Sequence, residues 1–381
     1  MKEIWIAPEK LFDGQSILSG HAVRIVDDTI AEIAPAPRGA FAISGCLTPG
    51  FVDLQVNGGG GVLLNATPTV EAMETILSAH HQFGTAAILP TVITDRPEVL
   101  DQAAEAALAV KDDGIIGLHI EGPHISVVRR GTHRKDDVRP FDGRTMDVVA
   151  RLRKRGVSVM ITVAPEAISL DDIARLSGLG AIVSIGHTDA LAEEVEAALA
   201  AGASCGTHLF NAMSPMTSRA PGAVGALINS HALCGIICDG HHVDDRMIRL
   251  AIRARPEPDL MFAVSDAMPT VGGPPKFELY GADIQLEDGR LVNAEGGLAG
   301  AQITQFGNAQ RLVNTIGIAL EEALRMVITT PARAINRPQL AQLVGRKTRH
   351  VALIATDLRQ LTMLEDALVA TLTPDAAEWV V

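Results

Sequence analysis

The sequence predicts a (β/α)8 barrel flanked by a small β-sandwich domain built from both chain termini. Three observations predict it. Eight apolar runs of strand length alternate with Ala-rich amphipathic stretches through the middle of the 381-residue chain. The polar residues of those runs gather at their C-terminal ends. The chain begins and ends in β-prone sequence. Alternating strands and helices specify a parallel sheet, and eight such units favour closure into a barrel over an open, doubly wound sheet. No G-x-G-x-x-G opens the first unit, which also weighs against a dinucleotide fold.

Residues 1–46 read as short strands and turns, with Phe12–Asp13–Gly14 and Asp27–Asp28 punctuating β-prone runs such as His21–Val26. From residue 47 the pattern changes. The runs are Leu47–Val56, Thr85–Val92, Ile115–Glu121, Val157–Ala164, Ala181–His187, Ala203–Asn211, Leu233–Asp239 and Leu260–Asp266. They are almost continuously apolar, as strands covered on both faces must be. Between them, Val70, Met73, Ile76 and Leu77 recur at helical spacing within Thr69–Phe83, and Gly84 is a natural stop. Asp189–Ala201 repeats the design, with Thr188 or Asp189 as cap and Gly202 beyond the end. A β insertion is expected near 275–300, from Lys276–Tyr280, Asp283–Leu286 and the Glu287–Asp288–Gly289 turn. Helical pattern resumes at Phe306–Leu320 and Glu321–Ile335, completing a barrel domain over 47–335. Residues 336–381, with the strand-like Val351–Ala355, return to the small β domain.

Composition narrows the function. Hydrophobic content of 47% and a mean hydropathy of +0.22 fit a well-buried core. No uninterrupted apolar stretch reaches the ~18 residues of a membrane span, and Met1–Pro8 has no signal-peptide apolar core. These points predict a cytoplasmic protein with no membrane partner. A net charge of −13 lacks the basic footprint of nucleic-acid binding. It leaves room for a small phosphorylated substrate, because a local group of Arg and His outweighs a global field. Aromatic residues are only 3%, too few for stacking platforms. Cys46, Cys205, Cys234 and Cys238 show no CxxC spacing and sit in or near apolar runs, as small buried hydrophobes do.

Barrel active sites lie at the C-terminal strand ends. Gln55 and Asn57 close run one, His119 and Glu121 run three, His187 run five, His208 and Asn211 run six, Asp239 and His242 run seven, and Asp266 run eight. Two His and one carboxylate hold a divalent ion with a position open for water, and a further carboxylate moves that water's proton. Glu121, His187, His208 and Asp266 therefore suggest a metal-dependent hydrolase. The donor set suits zinc first, and also Fe, Co or Mn. Each residue also has a plain reading: Glu121 as a salt-bridged rim carboxylate, His187 beside a helix cap, His208 as a core histidine, Asp266 as a structural acid. His119 shares a strand face with Glu121 and either orients a ligand or fills the barrel interior. His80–His81 is expected on a helix surface. Loops 131–135 and 216–222 bring His133, Arg134, Lys135 and Arg219, suited to phosphate or merely solvated.

These motifs together resemble the N-acetylglucosamine-6-phosphate deacetylase family of the amidohydrolase superfamily. The resemblance runs from Leu47 to Ile335. It is carried by Pro49–Gly58, Leu89–Pro90–Thr91, His119–Ile120–Glu121–Gly122–Pro123, Gly131–Thr132–His133, Ala164–Pro165–Glu166 and Gly186–His187–Thr188. Thr207–Met213, Asp239–Asp244, Ser265–Asp266–Ala267 and Pro331–Ala334 complete it. It implies one divalent metal ion per subunit on Glu121, His187 and His208, and Asp266 as general base and acid. It implies that Gln55, His133, Asn211, Ala212, Arg219 and His242 contact a phosphorylated amino sugar. Where most amidohydrolases carry His-x-His, this chain has Gln55 and Asn57, which speaks for one metal rather than two. It also implies a homodimer in which His133 or Arg219 serves the neighbouring subunit. The chain departs from the pattern at His124, at Ala301–Gln305 and at Arg349–His350. The expected reaction is deacetylation of N-acetylglucosamine 6-phosphate. The alternatives are another metal-dependent amidohydrolase, such as a cyclic amidase or aminoacylase, and a non-catalytic amino-sugar-binding barrel. Asp266 argues against the last, since binding alone needs no proton carrier.

Overall fold

The computed structural model describes residues 3–294 and 296–372. Eight parallel strands form the barrel: β1 (Phe51–Val56), β2 (Thr85–Ile93), β3 (Gly117–Glu121), β4 (Ser158–Val163), β5 (Ile182–Ile185), β6 (Cys205–Gly206), β7 (Leu233–Ile236) and β8 (Met261–Ala263). They pair in sequence order. The ring closes just beyond β8, where Ala267 bridges Val56 in parallel and its carbonyl accepts the N–H groups of Asn57 and Gly58 at 2.9 and 3.0 Å.

Strands β5 to β8 end earlier than the apolar runs predict, and the backbone gives the reason. His187, His208 and Asp266 adopt left-handed φ values of 48°, 30° and 48°. Non-glycine residues avoid this region, at a cost of about 1–3 kcal/mol each. At the ends of β5, β6 and β8 the polar residue that faces the mouth therefore stands on a sharp turn beyond the strand.

The first run also divides. Leu47 belongs to a strand over Phe41–Pro49, where it pairs with Leu11 on one side and Leu353 on the other. Gly50 makes the corner between that strand and β1. A Cβ there would lie 2.4 Å from the Ala86 side chain, so only glycine fits. Strands from both termini form one seven-stranded mixed sheet. Ile6, Leu11, Val23, Ile25, Ile30, Leu47 and Val351 of this sheet share a buried cluster with Leu343 and Leu364. Arg349 and His350 anchor it to the barrel by bonding Asp113, with His350 Nε2 at 3.0 Å.

Helix α1 (Val70–His81) starts where its spacing predicts, with Thr69 Oγ1 accepting the Ala72 N–H. The later stretch differs from expectation. Its helix covers Ala192–Ala200, and Glu194 reaches back to the Leu191 N–H at 2.7 Å. Thr188 Oγ1 and the Asp189 N–H instead bond the Glu166 carboxylate. The Phe306–Leu320 pattern is broken as well: a helix over Gln305–Arg311 widens into a π turn and stops at Gly317, at φ 80°. The β insertion is a three-stranded antiparallel sheet over Lys276–Leu279, Ala282–Glu287 and Arg290–Val292. Its Leu279, Ile284 and Leu291 pack on Leu63, Ile93 and Met268, so it sits over the C-terminal ends of β1, β2 and β8.

His80 is buried rather than exposed, with Nε2 bonded to the Gly58 carbonyl at 3.0 Å, and burial lowers its pKa to about 4. His81 bonds the Arg349 carbonyl at 2.7 Å. All four cysteines are buried and unbridged. No helix among the described residues is long and apolar enough to cross a membrane.

Inside the barrel a polar layer underlies the mouth. His119 bonds the Leu54 carbonyl at 3.0 Å and Thr162 Oγ1 at 2.8 Å, and Thr162 and Ser184 each reach Thr207 Oγ1 at 2.7 Å. Burial holds the His119 pKa down near 4, so the ring is neutral. Of the two readings of His119, interior packing is what these contacts describe. Asp53 lies in the same interior. Its Oδ1 accepts the Ser265 and Gln55 N–H groups, while Oδ2 is buried with no partner. Burial pushes its pKa up to about 7 against those hydrogen bonds, with the Asp266 charge adding to the rise. Between pH ~4 and the folded value of about 7 the folded chain thus holds a proton that the unfolded chain has lost. Stability tied to Asp53 is highest below pH ~4, falls as pH rises to ~7, and then levels off. Asp53→Asn has no such charge to bury. Its stability relative to the parent, read from denaturant midpoints, should rise by about 2–3 kcal/mol between pH 5 and pH 8. A difference that stays constant across this range would show that Asp53 folds ionised.

Candidate active site

Glu121 ends β3, His187 follows β5 and His208 follows β6. Their atoms converge. Glu121 Oε1 lies 3.2 Å from His187 Nε2 and 3.0 Å from His208 Nε2, and the two imidazole nitrogens are 3.0 Å apart. All three residues are at most 5% exposed. The His187 tautomer is set from outside the cluster: Nδ1 bonds the Arg129 carbonyl at 2.9 Å and must donate. Its Nε2 therefore turns a lone pair toward a carboxylate oxygen and a second imidazole. Three potential ligand atoms this close together fit a shared cation. Donors bound at ~2.1 Å around a tetrahedral ion stand about 3.4 Å apart. Taken without a cation, burial alone would raise the Glu121 pKa, but the hydrogen bonds of His187 and His208 hold it well below the usual range. Burial likewise works against a charged His208, and Glu121 overrides it, raising the pKa. Both shifts report one fact, that Glu121 strongly favours positive charge at this point.

His133 joins the group. Its ring packs against His187 at 4.4 Å between centroids, and a ligand atom of each of Glu121, His133 and His187 falls within 4.8 Å of the others. Thr94 Oγ1 holds His133 Nδ1 at 2.7 Å, and burial pushes the His133 pKa down to about 3, so a neutral ring faces the cavity. The excursion that carries His133 is pinned by His124, which bonds the Pro140 carbonyl at 2.9 Å and Thr145 Oγ1 at 2.8 Å. Tyr280, from the β insertion, donates to the Thr94 carbonyl and lies under Arg134, whose guanidinium is 5.7 Å from the ring centroid.

Asp266 faces this cluster across the barrel mouth. Gln55 Nε2 bridges the two carboxylates, at 2.9 Å from Glu121 Oε1 and 3.1 Å from Asp266 Oδ1. Asn57 Nδ2 donates to the same Asp266 oxygen at 2.7 Å. Burial, then the Glu121 charge, raise the Asp266 pKa to about 6. After β7, Asp239 accepts the N–H groups of His241 and His242 on Oδ1 and His242 Nδ1 on Oδ2 at 2.6 Å. Burial opposes the Asp239 charge, but these bonds bring its pKa down to about 2. His242 is thereby fixed, and its Nε2 bonds no described residue.

The structure brings Glu121, His133, His187, His208, Gln55 and Asp266 into one site, with His242 near enough for its charge to act on Asp266. Asn211 is half-buried and bonds the His208 carbonyl, and the Ala212 carbonyl accepts the Thr188 N–H at 3.0 Å. Arg219 is different. It stands exposed on the loop after β6 and pairs with no described residue. Gln55, expected to contact substrate, has its amide donor engaged by two carboxylates. Thr94 and Tyr280 escaped the sequence reading. Thr94 sits just past the end of β2, where strand-end position could have drawn attention to it, whereas nothing in the sequence places Tyr280 at the mouth.

Comparison with known proteins follows the same lines. The amidohydrolase family model matches residues 46–343. The N-acetylgalactosamine-6-phosphate deacetylase of Shewanella sp. (strain ANA-3) is 41% identical over 325 residues, covering 84% of this chain and 82% of that protein. The crystal structure of N-acetylglucosamine-6-phosphate deacetylase from Pasteurella multocida superposes with a TM-score of 0.87 at 32% identity, covering 95% of this chain and 98% of the other. An aspartate-to-alanine mutant of the Mycobacterium smegmatis N-acetyl-D-glucosamine-6-phosphate deacetylase, in complex with N-acetyl-D-glucosamine-6-phosphate, gives a TM-score of 0.87 at 28% identity, covering 96% and 98%.

Proposed function

Because the chain belongs to the amidohydrolase family, whose members are metal-dependent hydrolases, we propose that it deacetylates N-acetylglucosamine 6-phosphate to glucosamine 6-phosphate and acetate. The observation that carries this reading is the convergence of Glu121 Oε1, His187 Nε2 and His208 Nε2 at 3.0–3.2 Å beside Asp266. These three residues would hold one divalent ion, zinc being the best match, with Fe, Co or Mn compatible. When bound, such an ion acidifies water toward a pKa of ~7 and polarises a carbonyl.

The chain's own groups supply the rest. Asp266, poised near pH 6, takes a proton from the attacking water and returns it to the departing amine nitrogen. His242, fixed by Asp239, presents Nε2 to the sugar or to the carbonyl oxygen. His133, neutral and held by Thr94, offers its second nitrogen to the substrate. Asn211 and the Ala212 backbone line the same rim. The amide donors of Gln55 and Asn57, which occupy the first-strand positions, are bonded to Asp266, in keeping with one metal ion.

A second sugar is favoured by a specific observation: the 41% identical Shewanella relative is an N-acetylgalactosamine-6-phosphate deacetylase. Turnover of the two 6-phosphates, which differ only at C4, decides between them. No turnover of either by metal-loaded protein would overturn the deacetylase reading.

The phosphate group is assigned to Arg219, and the assembly to a homodimer. Val127, Val128, Leu191 and Met216 are exposed apolar residues. Their loops are joined by the Arg129–Asp189 ion pair at 2.8 Å and the Ser214–Ala190 hydrogen bond at 2.6 Å. Met216 lies on the Arg219 loop. A second copy covering this face would bring Arg219 toward a neighbouring site.

Three outcomes follow. His187→Ala should lose metal and activity together. Full metal occupancy in that variant would remove His187 from the ligand set. Asp266→Asn should keep its metal and lose roughly 10²–10⁴-fold in kcat, and near-normal turnover would exclude Asp266 as the base. A charge-assisted Arg–phosphate contact is worth about 1.5–3 kcal/mol. Arg219→Ala should thus raise KM for the phosphorylated sugar by roughly 10–150-fold and barely affect unphosphorylated N-acetylglucosamine. Equal loss on both substrates would refute the phosphate role. Mixed dimers of Arg219→Ala and Asp266→Asn protomers should recover part of the activity if the contact crosses the interface, and no recovery would place Arg219 in its own subunit's site.

A further inference from the structure

The geometry points to Asn57 as a positioning residue that fixes which oxygen of Asp266 takes the proton. This rests on the reading of Asp266 as the base. Both amide donors that reach Asp266, Asn57 Nδ2 at 2.7 Å and Gln55 Nε2 at 3.1 Å, converge on Oδ1. No described residue donates to Oδ2. A carboxylate oxygen that already accepts two hydrogen bonds is the poorer proton acceptor, so Oδ2 carries the chemistry. As the water oxygen bonds to the amide carbon, its proton passes to Oδ2 and the carbonyl π pair moves onto oxygen. When the C–N bond breaks, that proton goes from Oδ2 to nitrogen, and Asp266 is restored.

The backbone around Asp266 is held to the same strand. The Ser265 N–H bonds Asp53 Oδ1 at 3.2 Å, and Ser265 Oγ donates to the Gln55 carbonyl at 3.3 Å. On the other side the Ala267 carbonyl accepts the Asn57 and Gly58 N–H groups. Asp266 thus stands on a left-handed turn clamped before and after by β1 and its extension, and Asn57 supplies the contact that sets the carboxylate plane. Gln55 is shared with Glu121, whereas among the described residues the Asn57 amide donates only to Asp266.

Asn57 is a poor choice for stability alone. It is 1% exposed, and its Oδ1 is buried with no hydrogen-bond partner. Turning the amide over would set that oxygen against the Asp266 carboxylate, so the orientation is fixed by Asp266. An orphaned carbonyl is an uncompensated cost of folding, and the gain offsetting it is the donor placed on Asp266.

Asn57→Leu keeps the shape and removes the donor. We expect kcat for the acetylated 6-phosphate to fall roughly 10–100-fold, the scale of a misplaced reacting group. KM, bound metal and melting temperature should stay near the parent values. Asn57→Asp sets a second carboxylate against Oδ1 and should lose more, and it stands in if the Leu variant does not fold. The decisive measurement is the double variant. If Asn57 acts only through Asp266, adding Asn57→Leu to Asp266→Asn lowers the residual kcat no further. Losses that multiply, a parental kcat in Asn57→Leu, or metal lost together with kcat would each overturn the assignment. Near-parental turnover in Asp266→Asn alone would instead refute the base, and this separates failure of the underlying reading from failure of the inference.

Discussion

Everything at the barrel mouth depends on the close approach of three buried polar atoms. Glu121, His187 and His208 place an oxygen and two nitrogens at 3.0–3.2 Å, where only a positive charge makes the contact favourable. Proton sharing meets that need partly, as the low Glu121 and raised His208 pKa values show. A divalent ion held by these three residues would meet it fully, because it would leave each imidazole neutral and give every donor a bond. The ligand positions are held by the surrounding fold. The Arg129 carbonyl sets the His187 tautomer, and left-handed turns at His187 and His208 aim both rings inward. Local strain is stored at the site and sustained by the apolar barrel beneath it.

The second acid is governed by the same charge. Asp266 feels Glu121 as a repulsive neighbour, and that, with burial, lifts its pKa to about 6. A carboxyl poised there exchanges protons near neutrality, unlike one free in water at ~4. In the proposed reading Glu121 thus does two things: it would attract the cation, and it holds the Asp266 pKa up. Two carboxylates bridged by the single Gln55 amide are driven to different protonation behaviour by their surroundings, the general way one site assembles both an anchor and a proton carrier.

Much of this was legible in sequence because parallel barrels obey a strict geometry. Buried strands need apolar residues on both faces, so the polar residue that ends each run stands out, and these residues share one rim. That rule singled out Glu121, His187, His208 and Asp266, and the structure brings them together at one mouth. What failed to show were features set by tertiary packing. The division of Leu47–Val56 at Gly50 depends on how closely Ala86 approaches. The burial of His80 depends on the Gly58 carbonyl lying across α1. Tyr280 reaches the mouth only because the insertion folds over Ile93 and Met268. Each is a contact between segments far apart in sequence, with no local periodicity to mark it.

The departures from the family pattern have a physical reading as well. His124 bonds a carbonyl and a hydroxyl and packs edge-on against Phe141 at 4.9 Å, fastening the excursion that carries His133. Arg349 and His350 share Asp113 and tie the terminal sheet to the barrel. Gln302 bonds Thr270 beside the β insertion. These side chains act on the walls and attachments of the site, and the Ala301–Gln305 segment also reaches the site through its backbone, the Ala301 N–H bonding the Asp266 carbonyl at 3.0 Å. Polar contacts in the walls set the shape a sugar must fit, while the charged centre sets the chemistry. In the proposed reading, discrimination between sugars that differ at one hydroxyl would belong to the walls, where a single unpaired hydrogen-bonding group suffices to reject the wrong epimer.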